Sequence, residues 1–589
     1  MAVIRRRQGM LGRILGRLKP YRKRIFLGFA VIFVTQLLRM LLPLITRAVV
    51  NDVIPNRDFP LMLKLGALLL GITCCRAFCL YSRGMIFERV SQGMIYDLRT
   101  LIYDRLQAQS YTFYDKNRVG EIMSRLTGDM EGVRAFVMNV CLTYVEQSVA
   151  FLGALIFMGS LGWTMTLVML CVCPALAVIV WQFTKRIRPA HAAVREQNAV
   201  LNTRTQENIA GVRVVKAFAR EPYESERFRE DNQKVLELNM HATRIWADFN
   251  PPLDFVGSLA VPLMLLVGGI LVSTGRMDLG TLIAQTGYVW MLVNPMRMLG
   301  TMVNAYAQGI TSAEKLFYYL DLGSIVRDPE SPETPEAREG RVTFENVSLA
   351  YGDIEVLRNI SFSAAPGETI ALMGATGSGK TSIVNLIGRY YDIRSGSVKV
   401  DGVDVRRQKL SDLRTSIGYV MQESFLFSDS IAENIAFGRP GLSMESIQGA
   451  AAVAEASEFI THMPQAWETI VGERGLGLSG GQKQRVSIAR ALAVDPKILI
   501  LDDATSAVDM ETEAEIQQRL RQALGRRTTF VIAHRISSVI HADQILVIEG
   551  GEIKERGTHA SLLAQKGLYY GMFMDQYRDF AELNIGKEA

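Results

Sequence analysis

The sequence predicts an all-α membrane half joined to a soluble α/β half, and three observations predict it. Apolar runs of about 20 residues with few charges crowd the first 320 positions, long enough to cross a bilayer. Beyond position 340, short Val/Ile-rich strands alternate with helical stretches, the pattern of a sheet wrapped by helices. Between the two flanks of that second half lies GATGSGKTS, Gly374 to Ser382, which fits G-x-x-x-x-G-K-[ST] at every fixed position and sits between an apolar strand and a helix.

At 589 residues the chain is too long for one core, but a hydrophobic fraction of 49% and a mean hydropathy of +0.14 argue against several soluble domains. The formal net charge is +6, yet nine Lys and Arg and no acid fall in residues 1–24, so the remainder is slightly acidic. That balance gives little support to nucleic-acid binding. A basic cluster before a first span reads instead as a cytoplasmic N-terminus. A signal peptide would need a small-residue cleavage site, and none follows. The six cysteines, Cys74, Cys75, Cys79, Cys141, Cys171 and Cys173, all lie in apolar runs and read as buried thiols acting as small hydrophobes.

In chain order, residues 8–20 read as a basic amphipathic helix on the membrane surface. Six spans follow, at about 25–45, 59–81, 137–161, 164–183, 253–273 and 282–304. The outer connections are a few residues long. The two inner ones are long, helical and charged, and contain 111–129 (YTFYDKNRVGEIMSRLTGD) and 207–221 (ENIAGVRVVKAFARE). Residues 1–320 are therefore a transmembrane domain with long cytoplasmic extensions. The acidic, Pro-rich 321–340 is a linker and 341–589 a nucleotide-binding domain.

The phosphate loop states its chemistry directly. Glycines at 374, 377 and 379 let the backbone of Thr376 and Ser378 turn its amides inward at phosphate oxygens, and the helix opened by Ser382 adds the positive end of its dipole. Lys380 is the residue to hold β- and γ-phosphates, and the Thr381 hydroxyl the one to ligate Mg²⁺. A second motif, ILILD at 498–502, is an apolar strand ending in a carboxylate; beside a phosphate loop, Asp502 is a magnesium ligand. The expected ligands are thus ATP and Mg²⁺.

One further stretch, LSGGQ at 478–482, lies just upstream of that strand. LSGGQ followed by ILILDDATSAVD, after GATGSGKTS, resembles an ATP-binding cassette (ABC) transporter, and the likeness to an exporter-type half-transporter covers essentially the whole chain. The resemblance implies further roles. Tyr351 matches the aromatic that stacks on adenine. Gln422 matches the glutamine that senses Mg²⁺ and contacts the membrane domain. His534 matches the histidine that contacts the γ-phosphate. Asp509 matches the loop touching the opposite cassette, and Glu473 a segment meeting the coupling loops. Ser479, Gly480, Gly481 and Gln482 match the signature that completes the opposite subunit's site. Without those motifs, a lone Tyr at a strand end, a loop Gln or a His after an apolar strand would read as structural.

One position departs from the pattern: where hydrolytic sites of this family have Glu after the magnesium Asp, this chain has Asp503. A conservative swap leaving a slower base is one reading. The resemblance favours another, the degenerate-site subunit of a heterodimeric bacterial multidrug exporter, which lends its LSGGQ to a partner's competent site.

In the membrane half Arg39, Arg76, Glu146, Asp254, Gln285, Asn294, Arg297, Asn304 and Gln308 lie in or near spans, where ionisable groups line cavities or pair between helices. The 26 methionines include Met291, Met296, Met298 and Met302, which suit a re-packable substrate surface, although core or lipid contact explains any single one. The expected protein is a half-transporter in the plasma or inner membrane, with N-terminus and cassette cytoplasmic. It pairs with a second half-transporter, contacts membrane lipids, binds no nucleic acid and exports a small hydrophobic or amphipathic compound. Open alternatives are import, a peptide, lipid or siderophore cargo, and a homodimer with two slow sites. A soluble ATPase is disfavoured by the six spans.

Overall fold

The computed structural model describes residues 2–585 apart from 473–474, 476, 506–509 and 525–526, and excludes the side chains of 139–141 and 299–304 among others. The chain forms two compact units, one of residues 1–107 with 118–322, the other of 108–117 with 323–589.

In the first unit, helix follows helix because no backbone amide can stay unpaired in hydrocarbon. Its long helices are α1 (Arg22–Ala48), α2 (Phe59–Gln107), α3 (Leu142–Leu161), α4 (Trp163–Ala210), α5 (Glu221–Ser273) and α6 (Leu279–Asp321). Among the described residues five helical segments are long and apolar enough to cross a membrane. The sixth expected span falls in α6, where the side chain of Asn304 lies outside the described residues. Helices α2, α4, α5 and α6 run well past any bilayer, since 43 to 53 residues at about 1.5 Å each exceed a roughly 30 Å core. Phe26, Leu70, Phe78, Ile156 and Trp181 stay exposed on their outer faces, as lipid-facing groups do.

The core of this bundle is methionine-rich: Met158, Met165, Met169 and Met264 are fully buried with Tyr288, whose hydroxyl donates to the Met40 carbonyl at 2.5 Å. Met291 is buried there too, which fits the core reading of a single methionine, and Met298 is exposed. The cysteines differ from the expectation, for Cys74, Cys75 and Cys171 are exposed, Cys79 is half-buried, and among the described residues only Cys173 is buried. Their helices turn those faces outward, where a thiol is at home against lipid. The N-terminal helix Ala2–Arg17 does not merely lie on a surface: Ile14 is buried and Arg13 pairs with Asp321 at 2.7 Å.

The second unit holds two sheets. Strands β1 (Val342–Tyr351), β2 (Ile354–Ala364), β4 (Ser395–Val400) and β5 (Val403–Asp404) form an antiparallel sheet in the order β2-β1-β4-β5. Strands β3 (Thr369–Met373), β6 (Ile417–Val420), β7 (Ile498–Asp502), β8 (Thr528–Ile532), β9 (Gln544–Glu549) and β10 (Glu552–Gly557) form the other, β10-β9-β3-β8-β7-β6, parallel except for β9 with β10. All five positions of β7 are buried, as in a sheet covered on both faces. Phe344, Phe362 and Phe530 join the two sheets in one core, the first two rings stacked at 4.6 Å. The stretch 322–341 has no helix or strand, but it is laid against this unit: Asp328 accepts from the Leu410 amide at 2.7 Å, and the Glu333 amide donates to the Arg407 carbonyl at 2.8 Å.

Candidate nucleotide site

Strand order builds the site. In the series β3-β8-β7-β6, neighbouring parallel strands end side by side, and ligands of open α/β sheets bind at such carboxyl ends. β3 runs into the phosphate loop, β8 into His534, β7 into Asp502 and Asp503, and β6 toward Gln422. Residues 130 positions apart in sequence are thus brought together, because Leu372 and Asp502 both pair with Ile532.

The loop's shape needs its glycines. Gly374, Gly377 and Gly379 have φ of 145°, 82° and 105°, and a Cβ at Gly374 would run into the Ile548 carbonyl. Lys380 is 5% exposed, and its ammonium donates to the carbonyls of Gly374 at 2.9 Å and Ala375 at 2.8 Å. Burial lowers its pKa, with Asp502 and Asp503 acting in the opposite sense. The Ser378 hydroxyl is buried without a partner. A bent loop, a buried ammonium held only by carbonyls and an orphaned hydroxyl fit a polyanion.

A cleft of about 280 Å³ brings together Thr376, Gly377, Gly379, Lys380, Thr381, Ser382, Gln422, Asp502 and His534. Asp502 is 3% exposed; burial raises its pKa, while a hydrogen bond from Thr381 opposes that shift. A hydroxyl beside a carboxylate is a hard oxygen pair suited to Mg²⁺. Asp503 lies outside this cleft and lines an adjoining hollow of about 200 Å³, with Ile532 and His534 as the wall common to both. Its backbone is left-handed, φ 50°, a region where Asp is less strained than most residues. That backbone is pinned from both sides: its amide donates to the Ile532 carbonyl at 3.0 Å, and its carbonyl accepts from Gln484 at 3.4 Å.

Tyr351 stands in a third hollow, of about 720 Å³, that shares Thr381 and Ser382 with the cleft. Its hydroxyl lies 3.2 Å from that of Ser382. The signature residues are placed apart and line none of the three hollows. Ser479 caps the helix Gly480–Ala493, taking the Gln482 amide at 3.3 Å, while the Gln482 side chain takes the Ser479 amide at 2.9 Å. Ser479 and Gly480 are exposed at the positive end of that helix, with Gly481 half-buried behind them. Asp509 and Glu473 lie outside the described residues.

Sequence reasoning missed two groups. Residues 108–117, expected in a polar inner loop of the membrane domain, belong to the cassette unit. There the Tyr111 ring stacks on Tyr390 at 4.7 Å, and the Tyr391 hydroxyl donates to Asp115 at 2.9 Å. Tyr391 also packs edge-on against Tyr351 at 4.9 Å, so a chain of aromatic rings runs from the third hollow to this segment. The dense aromatics of YTFYD, and of RYYD after the phosphate-loop helix, were the available signal. The second group is centred on Glu513, 5% exposed. It accepts from Thr505 at 2.9 Å, Ser538 at 2.7 Å and Arg535 at 2.7 Å, tying the segment after Asp503 to that after His534.

Two family profiles match the chain: "ABC transporter transmembrane region" over residues 25–296 and "ABC transporter" over residues 357–506. The chain is 35% identical to a Staphylococcus aureus (strain NCTC 8325 / PS 47) ATP-binding/permease protein named for multidrug export, covering 96% of this chain and 100% of that protein. It is 33% identical to an ATP-dependent lipid A-core flippase of Syntrophus aciditrophicus (strain SB), covering 99% and 96%. A solved bacterial Atm1-family ABC exporter with ATP bound superposes with a TM-score of 0.81 at 28% identity, covering 94% of this chain and 98% of that one. With a membrane bundle, a cassette whose strand ends carry these residues and relatives matched from end to end, the chain belongs to the ABC transporters as a membrane exporter that couples ATP hydrolysis to transport, its cassette cytoplasmic.

Proposed function

We propose that this chain is one half of a heterodimeric exporter of hydrophobic or amphipathic compounds, with its own ATP site hydrolytically weak. The observation that carries the reading is Asp503 directly after Asp502 in a chain whose LSGGQ is intact. Asp is one methylene shorter than Glu, and a misplacement of about 1 Å in a catalytic group can cost on the order of 100-fold. The two hydrogen bonds that pin the Asp503 backbone keep it from moving forward to compensate. Relatives named for multidrug export and for lipid flipping support an amphipathic cargo.

In this reading the amides of 376–379 and Lys380 hold the triphosphate of ATP, Tyr351 receives the adenine, and Thr381, Asp502 and Gln422 hold Mg²⁺. The ion would neutralise phosphate charge. Ser479 and the helix it caps are offered to the partner's nucleotide, whose hydrolysis resets the pair. Purification of the chain alone tests the pairing. A poorly associating or nearly inactive species is expected, with turnover restored by co-expression of a second half-transporter carrying Glu at the equivalent position. A stable homodimer with robust ATP turnover would sink it.

The aromatic chain from Tyr351 to 108–117 gives the cassette a route for passing closure to the helices. Tyr391→Phe removes the bond to Asp115, and a hydrogen bond to a charged group is worth roughly 1.5–3 kcal/mol, less where water reaches it. Substrate stimulation of ATP turnover is expected to fall by about three- to tenfold, with nucleotide affinity unchanged. An unaltered stimulation would remove Tyr391 from the route.

A further inference from the structure

Helices α1 and α2 run antiparallel, their register set by the Tyr21 hydroxyl on Asp97 at 2.8 Å and by Phe29 against Phe87 at 5.7 Å. Carried along both helices, that register places Gln36 and Arg39 level with the stretch from Arg76 to Arg83. Glu146 of α3 faces the same level, and both its oxygens are engaged. One accepts from Arg83 at 2.5 Å and the other from Gln36 at 3.1 Å. Arg39 is within electrostatic reach of both Arg76 and Glu146. Among the described residues, no carboxylate lies within ion-pair distance of Arg39 or Arg76.

The cluster therefore holds three guanidinium groups against one carboxylate that is already spent. The Nε atoms of Arg76 and Arg83 are buried without a hydrogen-bond partner. Arg39 stands 17 residues into α1, about 26 Å along the helix, and nine residues from its far end, about 14 Å. At such a depth an uncompensated positive charge is costly, and charged groups there face a cavity or a substrate path rather than lipid. By contrast, another pair within the spans, Arg297 with Asp254, balances itself.

We propose that Arg39 and Arg76, braced by Arg83, Gln36 and Glu146, form a substrate site for the acidic head of an amphipathic anion, a phosphate or carboxylate carried on an apolar body. The site deepens the efflux reading above and rests on it. Two or more donors per guanidinium match such oxygens in bidentate fashion, and the surrounding spans take the apolar body.

The test uses the full-length chain, purified from membranes in detergent in whatever assembly it holds there. It is titrated with four fluorescent probes: a short-chain phosphatidic acid, an amphipathic carboxylate dye, a short-chain phosphatidylcholine and cationic rhodamine 6G. At least one anionic probe is expected to bind about tenfold or more tighter than the zwitterionic and cationic ones. Preference for phosphatidic acid alone marks a lipid cargo, and preference for the dye alone a soluble one; either supports the site. The R39Q/R76Q double variant should lose that preference, and R39K/R76K should keep most of it. An unmodified chain that binds neither anion more tightly than rhodamine 6G overturns the inference, whatever the variants do. So does a double Gln variant that keeps the preference. If none of the four probes binds or stimulates ATP turnover, the efflux reading falls with it, whereas binding of rhodamine 6G or phosphatidylcholine without anion preference removes only the anion site.

Discussion

Replacing Ser479 by Ala or Gly480 by Asp in the assembled transporter is expected to cut ATP turnover by about 100-fold, while Asp503→Asn costs no more than about threefold. The first figure follows from what one preorganised donor at a developing negative charge is worth, on the order of 100- to 1,000-fold. Ser479 and Gly480 stand at the exposed positive end of a 14-residue helix, so an acid or a lost hydroxyl there acts on whatever phosphate the helix meets. The second figure follows from the proposed reading, in which Asp503 is too short and too firmly pinned to serve as the main base. Asp503→Glu should then raise turnover severalfold, because the added methylene restores reach. Phosphate release from the purified pair measures all four. Equal losses from the Ser479 and Asp503 changes would mean two equivalent sites and would end the asymmetric reading.

Lys380→Ala is expected to weaken ATP binding at this chain's own loop by about 100-fold, read by titration with a fluorescent ATP analogue. Charge-assisted hydrogen bonds to phosphate are roughly twice as strong as neutral ones, and this ammonium is buried with no carboxylate bonded to it among the described residues. The lost side chain also frees the Gly374 and Ala375 carbonyls that it now ties together, so the loop loses shape as well as charge. Thr381→Ala should cost less in the absence of Mg²⁺ than in its presence. An affinity unchanged by Lys380→Ala would refute the assignment of the loop.

The cassette was legible because its motifs are local. GATGSGKTS needs only its own backbone to bend, and ILILD only its own burial, so spacing along the chain was enough to recognise them. What the sequence could not supply was the order of strands. That order carries His534 and Gln422 to Lys380 and leaves Asp503 in the next hollow. Spans were legible for the same reason, since an apolar run of sufficient length is a local property. Their inward faces were not. Arg83 falls just beyond the expected end of the second span, yet it supplies the one ion pair Glu146 makes among the described residues, and no motif marks Gln36 as its other partner. The placement of 108–117 was hidden too, because a charged, aromatic helix reads as solvent-exposed until its partner, 276 positions or more beyond in Tyr390 and Tyr391, is known to meet it.

The hydrogen bonds between Ser479 and Gln482 have a consequence for how the transporter rests between cycles. Each side chain satisfies the other's amide, so two of the donors at the tip of the signature helix already have partners within it. In the proposed pairing, docking would exchange a local bond of about 1 kcal/mol for one to a charged phosphate, which is stronger. Such an exchange biases the joint toward closing only while a triphosphate is present. Once the phosphate leaves, the helix tip falls back on itself, and the joint opens without a barrier of broken bonds to climb.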